Sequence, residues 1–522
     1  MSEPTSPQGF KAFLQKFTCL RTAPRELWII YLAYIFENLA YKAGAAGVLT
    51  LWLSSDLNFG DKSAGAMIGI WSAIMTLITV LVGSLTDALG IRKTFLLGFW
   101  VCLISRAVMT VTAETWITIP FGLYLQAVGI ALLIPVMVAG CKRYTNAAQR
   151  SVAFALYYAL MNLGYAVGDF IFDHVRSAAT VRGAGVEHTA HAWTMTWQSL
   201  QHCPYQMLML VGLVFTVPGL ILVWLMMREG VEMTEAGVRI QPPKPKSDPG
   251  AGTFSALGQT VVTTAKETVR IFLGLFGQKS FYRFLLFMTL VVGVRMIFYH
   301  LAYTFPKYAI RELGDGAPFA HISGAMNSLM IVVLVPICGA LTQKISAYRM
   351  VTVGSLISAL SVFFIAVPAQ WYQPIADSWV GNLLVHDLLK VSGPVNPLWI
   401  GIYLFIALLS VGEAFWSPRL YEYSAAIAPK GQEASYMALS MLPYFVAKFT
   451  VGMSSGWLLS WYCPAEGPRN SATMWLLIGL MALATPVGTF LFRKQLQLQE
   501  SGREPVISKT EAAAEEEEAG HG

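Results

Sequence analysis

Residues 27–53 read LWIIYLAYIFENLAYKAGAAGVLTLWL. A helix needs about 20 mostly apolar residues to cross a bilayer, and this stretch meets that length while holding Glu37 and Lys42 inside it. A charge at bilayer depth costs about 2.5–3.5 kcal/mol on insertion scales, and chains keep one there where it lines a wet cavity or meets a partner. Outward from this stretch the pattern recurs. Arg106, Arg295, Glu413, Arg419, Glu422 and Lys448 each interrupt an otherwise apolar segment. Many spans with a few buried charges of both signs imply a transport protein whose charges are its mechanism.

Candidate spans lie at about 27–53, 63–86, 94–113, 116–140, 151–173, 207–227, 281–309, 320–343, 348–368, 398–427, 434–460 and 472–492. They form two blocks of six around a polar stretch whose heart is GVRIQPPKPKSDPGAG, a Pro- and Gly-rich linker composition. The fold class expected is an all-α membrane protein with twelve transmembrane helices in two six-helix bundles. Its parts are an N-terminal segment at 1–26, a first bundle at 27–227, a linker at 228–279, a second bundle at 280–493 and an acidic tail at 494–522. Residues 254–277 carry Lys266, Glu267 and Arg270 on one side and read as an interfacial helix. Arg92 and Lys93, Lys142, Arg143 and Arg150, and Lys344 and Arg349 fall in loops on one side of the spans. The positive-inside rule then puts both termini in the cytoplasm, in a plasma or cell inner membrane. The first span is expected to serve as signal anchor, with no cleaved leader.

Composition excludes other classes. The chain is 55% hydrophobic and 13% charged, where soluble domains carry about 25% charged residues. The net charge of +6 is spread over loops, which argues against a nucleic-acid partner. Six cysteines are too few for a disulfide framework; a bridge between Cys203 and Cys463 is left open. There is no Walker loop, HExxH or paired CxxC, so no cofactor, metal or enzymatic activity is expected. Residues 452–456 (GMSSG) match G-x-S-x-G only inside an apolar helix pattern, where the strand-turn-helix elbow is missing.

Residues 83–93 read GSLTDALGIRK. This resembles the signature loop of the major facilitator superfamily, G-x-L-x-D-x-x-G-x-[RK]-[RK], and six plus six spans is that superfamily's architecture. The resemblance implies gating roles for Gly83, Asp87, Gly90, Arg92 and Lys93. Two further stretches resemble the proton-dependent oligopeptide transporters. In RSVAFALYYALMNLGYAVG (150–168), Tyr157, Tyr158, Met161, Asn162 and Gly164 fill a pattern near F-Y-x-x-I-N-x-G. In GEAFWSPRLYEYSAAIAPKG (412–431), Gly412, Glu413, Ser417, Pro418, Ala428 and Pro429 match G-E-x-x-x-S-P and the following A-P turn. The departures are specific. In the family's E-x-x-E-R, Tyr34 stands for the first Glu and Asn38 for the Arg, with Glu37 kept; Ile134 precedes Pro135 where the family has Lys. Two cations of a peptide-carboxylate site are thus absent.

The expected activity is proton-coupled symport of a small organic solute, a peptide or modified peptide, by alternating access; an organic-anion or drug transporter or antiporter is the alternative. The expected partners are a small-molecule substrate, protons and the lipid bilayer, with the carrier a monomer. Glu37 and Glu413 are the proton-coupling candidates, since a carboxyl in a low-dielectric cavity takes up a proton more readily. Tyr41, Lys42, Tyr158, Asn162, Arg295, Tyr299, His300 and Trp416 are the substrate-binding candidates. Lys42 is also a candidate partner for Glu37, Asp169 and Asp173 are expected to be solvated at the end of their span, and Arg419 is expected to satisfy Glu422.

Overall fold

A computed structural model of the chain describes residues 18–45, 47–183, 203–234, 237–240, 279–342, 345–427 and 441–496, with Trp197, Leu200 and Lys266. A helix lies at each of the twelve stretches read as spans. They are α1 (Arg25–Gly44), α2 (Asp61–Leu89), α3 (Ile91–Val111), α4 (Leu125–Arg143), α5 (Ala147–Gly183) and α6 (Pro204–Met226), then α7 (Lys279–Tyr303), α8 (Asn327–Leu341), α9 (Ala347–Ser361), α10 (Leu398–Ile427), α11 (Met441–Tyr462) and α12 (Ser471–Leu491). Among the described residues, nine helices are long and apolar enough to cross a membrane by length and composition. Lipid offers backbone groups no hydrogen bonds, so a spanning segment must satisfy them within its own helix. Large apolar side chains such as Leu77, Ile104, Trp224 and Trp457 stay exposed on these helices, as lipid-facing residues do.

The chain divides into two compact units. Unit 1 holds α1–α6 and the segment Gly314–Ala325; unit 2 holds α7–α12. In unit 1, α1 packs on α5 and α6, α3 on α4 and α6, and α2 on α4. In unit 2, α7 packs on α11 and α12, α9 on α10 and α12, and α8 on α10. Adding six to every helix number turns the first set into the second, as a parallel internal repeat does.

With no hydrophobic drive between helices in lipid, small residues set how closely they approach. On α4, a Cβ at Gly129 would stand 2.9 Å from the backbone nitrogen of Cys102 on α3. On α9, a Cβ at Gly354 would stand 2.7 Å from the carbonyl oxygen of Gly412 on α10. The same helix pair in each repeat therefore needs glycine at its crossing.

Helix ends are also tied. Asp56 Oδ2 accepts from the Gln206 amide at 2.8 Å in the first turn of α6, and Gln206 Nε2 donates to the carbonyls of Thr110 and Thr112 at the end of α3. These are backbone groups a helix terminus leaves unpaired.

The structure adds detail between the spans, and two expected features fall outside the description. Within 228–279, read as linker, Val231–Thr234 and Gly237–Ile240 form an antiparallel hairpin, β1 and β2. The gap between the ninth and tenth spans carries a series of short helices from Ala369 to Leu388, with Tyr372 and Ala376 buried beside Ile400 of α10. All six cysteines are free, Cys203 and Cys463 included. The interfacial helix expected at 254–277, apart from Lys266, and the tail from 497 lie outside the described residues.

Candidate functional site

In unit 1, Glu37 on α1 is clamped by Arg106 on α3. Arg106 Nη2 donates to Glu37 Oε1 at 2.8 Å and Nη1 to Oε2 at 3.0 Å, a fork-to-fork pair. Nη1 also donates to Thr216 Oγ1 on α6. Arg106 and Glu37 are both buried. Lys42, one turn beyond Glu37, meets Asp169 on α5 at 3.0 Å instead. Its Nζ stands 5.0 Å from the Tyr165 ring centroid, and that ring tilts against Tyr41 at 6.2 Å. Gly168 makes this possible: a Cβ there would lie 2.6 Å from Lys42 Cβ. Tyr34, at the position of the family's first Glu, stacks on Tyr157 at 4.3 Å. Asn162 is buried and donates to the Tyr158 carbonyl at 3.0 Å, turning its amide back onto its own helix.

Two sequence expectations fail here for one reason. The Glu37–Lys42 pair gives way to Glu37–Arg106 and Lys42–Asp169, and Asp169 and Asp173 are buried rather than solvated. Partners on other helices win because residues five apart on one helix point away from each other. Asp173 accepts from both the backbone amide and the ring Nδ1 of His321, at 2.8 and 2.6 Å. The Arg176 guanidinium donates to the carbonyls of Asp315 and Ala317.

The loop at 83–93 is local in its contacts. Gly90 has φ +86°, which favours glycine, and closes the turn between α2 and α3. Arg92 donates to the Trp224 carbonyl at 2.8 Å, satisfying the end of α6, and reaches Glu229 at 3.3 Å; Lys93 stands 3.7 Å from the same carboxylate. Gly83 and Asp87 belong to α2, and the Asp87 side chain lies outside the described residues.

In unit 2, Glu413 on α10 is buried, and its Oε2 accepts from Asn327 Nδ2 at 3.2 Å. Asn327 opens α8 and also donates to Ser410 Oγ at 2.9 Å. One turn on, Trp416 donates to Ser358 Oγ at 3.2 Å. Arg295 on α7 stands over two rings, with its guanidinium carbon 4.8 Å from the Trp416 centroid and 5.3 Å from that of Tyr444 on α11. Lys448, one turn beyond Tyr444, lies 5.9 Å from the Tyr299 ring, and Tyr299 stacks on Tyr303. Of the eight substrate-binding candidates, Arg295 and Trp416 touch each other, and Tyr299 joins them through α11. The structure adds Tyr444 and Lys448, for which the available signal was their i to i+4 spacing on α11. His300 is buried elsewhere on α7, its Nδ1 2.8 Å from Thr304 Oγ1. Arg419 donates to the carbonyl and hydroxyl of Thr342; the Glu422 side chain lies outside the described residues.

The position of Arg295 has a cause one residue upstream. Thr485 Oγ1 on α12 donates to the Leu290 carbonyl at 2.5 Å and accepts from the Val294 amide at 2.7 Å. These are the two groups that an uninterrupted α7 would pair with each other. A hydroxyl inserted in the ladder bends a helix, and Gly293 gives Thr485 the room.

A sequence model of the Major Facilitator Superfamily matches residues 28–385. The chain belongs to the Major Facilitator Superfamily. Solved structures agree on the superfamily fold. One, a POT family transporter in complex with a thioalcohol-conjugated peptide, aligns with a TM-score of 0.64 at 14% identity over 91% of this chain and 97% of its own. Another, from work on substrate recognition in proton-dependent oligopeptide transporters, gives 0.60 at 18% identity over 90% and 98%. The POT family transporter PepTSo gives 0.59 at 14% over 90% and 97%. No curated protein matches the chain in sequence. The superfamily carrier is thus an integral membrane transport protein, divergent in sequence from the transporters it resembles in fold. Its G-x-S-x-G match lies inside α11, where Ser454, the serine of the match, donates back to the Val451 carbonyl at 3.4 Å.

Proposed function

We propose that this carrier performs proton-coupled symport of a small organic solute, a peptide or modified peptide, by alternating access. The observation that carries the reading is the contact between buried Glu413 and the amide of Asn327. An amide serves a carboxyl in either state: its NH₂ donates to the carboxylate and its carbonyl accepts from the acid. Glu413 can therefore gain and lose a proton without abandoning its neighbour. Glu37 differs, because a guanidinium is always charged and only donates. Protonation of Glu37 would require Arg106 to let go, so we assign it the coupled rearrangement rather than simple carriage.

Gly83, Asp87, Gly90, Arg92 and Lys93 are proposed to act in gating, and both termini to face the cytoplasm of a monomeric carrier. Tyr41, Tyr158 and Asn162 are proposed to line the solute path in unit 1, while Lys42 supports it through Asp169. The fold neighbours named for peptides and peptide conjugates support the solute class. The alternative, an organic-anion carrier, is supported by the Tyr34, Asn38 and Ile134 departures.

The test is uptake of labelled alanyl-phenylalanine and N-acetylphenylalanine into proteoliposomes under an imposed inward proton gradient. Gradient-driven uptake of either that disappears in Glu413→Gln, while solute exchange at equal pH persists, supports the reading. Uptake indifferent to the gradient would end it.

A further inference from the structure

α7 and α11 pack on each other, and each presents one face by its helical period. Arg295 and Tyr299 are four apart on α7; Tyr444 and Lys448 are four apart on α11. The contacts interlock: Arg295 of α7 lies over Tyr444 of α11, and Lys448 of α11 over Tyr299 of α7. Trp416 of α10 closes the group under Arg295. Arg295 and Lys448 therefore face the same group of rings across the α7–α11 contact. No carboxylate among the described residues forms an ion pair with Lys448.

A lysine ammonium at membrane depth with no carboxylate partner is costly, and a ring face offsets only about 0.5–2 kcal/mol of that cost. A carboxylate that reaches Lys448 beside the Arg295 guanidinium removes it. A guanidinium uses its flat face for stacking and its edge for carboxylates, so the rings under Arg295 are compatible with carboxylate binding. Three aromatic rings beside the cations suit an apolar or aromatic body.

We propose that Arg295 and Lys448 bind the carboxylate of an organic anion whose apolar or aromatic body packs against Trp416, Tyr444 and Tyr299, and that the favoured solute has no free amine. This rests on the symporter reading at one point. In the proton-loaded carrier Glu413 is neutral and offers an ammonium no charge, while the two cations repel it. An N-acylated amino acid or peptide meets these conditions, and a zwitterionic peptide does not. Lys448 takes the role first expected of Lys42, which Asp169 occupies.

The experiment measures binding, without flux, to the purified full-length carrier. The probes are N-acetylphenylalanine, its neutral amide and alanyl-phenylalanine. Ligand that binds the native state raises its stability by RT ln(1 + [L]/Kd), so thermal stabilisation gives affinities. N-acetylphenylalanine is expected to bind, and the amide and the zwitterion to bind about tenfold more weakly or worse. Lys448→Gln should weaken the anion by about tenfold with its unliganded melting temperature kept, and Lys448→Arg should restore it. If Lys448→Gln does not fold, the acid-against-amide comparison in the native chain and Lys448→Arg still decide. Equal affinity for acid and amide, tighter binding of alanyl-phenylalanine, an unaffected Lys448→Gln, or no binding of N-acetylphenylalanine at millimolar concentration each overturns the assignment. Binding of the anion without proton-driven uptake would instead overturn the coupling assigned to Glu413 and leave the anion site standing.

Discussion

Lys42 and Lys448 both lie in helices at stretches read as spans, one in each unit, and they are handled oppositely. Lys42 meets the Asp169 carboxylate at 3.0 Å with a ring beside it. Lys448 has a ring at 5.9 Å and no carboxylate ion pair among the described residues. Glutamates divide the same way: Glu37 is held by a guanidinium at two points, Glu413 by an amide. The helix packing is the same in both units, so geometry alone does not explain the contrast. A charge closed by its opposite holds helices together, while a carboxyl in contact with an amide can keep that contact in either protonation state.

The contrast breaks most clearly at Arg106. Arg106→Leu leaves Glu37 buried without its cation, and losing one partner of a buried pair costs about 3–5 kcal/mol. The variant should unfold far earlier in denaturant than the native carrier. Combining it with Glu37→Gln should recover most of the loss. If Arg106→Leu alone is as stable as the native chain, the pair is not structural and unit 1 is not the closed half.

Crowding the repeated helix crossing comes next. Gly129→Val and Gly354→Val each force a side chain into a backbone contact, and overpacking costs about 1–3 kcal/mol or more. Both should lower the melting temperature, Gly354→Val more, since its Cβ would meet two backbone atoms of α10, the Gly412 oxygen and the Trp416 nitrogen, and the Phe415 Cβ besides. A neutral effect at one site and a large one at the other would end the claim that the two crossings are equivalent.

Asp169→Asn sharpens the comparison of the lysines. It removes one charge from a pair whose lysine is partly exposed, so a smaller cost of about 1–3 kcal/mol is expected. Affinity for N-acetylphenylalanine should hold within about twofold, because the anion site lies in unit 2. A large affinity loss with unchanged stability would move the anion to Lys42.

Much of this was legible in the residues themselves. Twelve apolar stretches were readable because lipid demands length and hydropathy that few other settings produce. Gly90 declared itself through a turn that favours glycine. The pairing of charges was not legible, because Glu37 and Arg106 are 69 residues apart in sequence, and nothing in α1 says which turn of α3 faces it. Asp169 looked solvated because its place near a span's end was read from hydropathy, while its burial depends on α1 approaching at Gly168. The hairpin at 231–240 was hidden by the prolines that follow it. The Arg295, Tyr299 and Trp416 group was half visible: each residue was a candidate by type, but Tyr444 and Lys448 join only once α7 and α11 are packed.

The smallest expected effect tests how Arg295 is aimed. In Thr485→Val the inserted hydroxyl is gone, leaving the Leu290 carbonyl and the Val294 amide free to pair with each other as α7 straightens. The exchange of one hydrogen-bond arrangement for another should cost only about 1 kcal/mol. Its functional effect should be larger than its stability effect, because the interrupted ladder lies one residue before Arg295, where a change of helix direction would re-aim the guanidinium. Amide exchange at Val294 should slow as the helical bond forms, and affinity for N-acetylphenylalanine should fall while that of Thr485→Ser is kept. If exchange slows and affinity is unmoved, the Thr485 insertion does not aim Arg295; if neither changes, the ladder stays interrupted for another reason, with Gly293 the next residue to test.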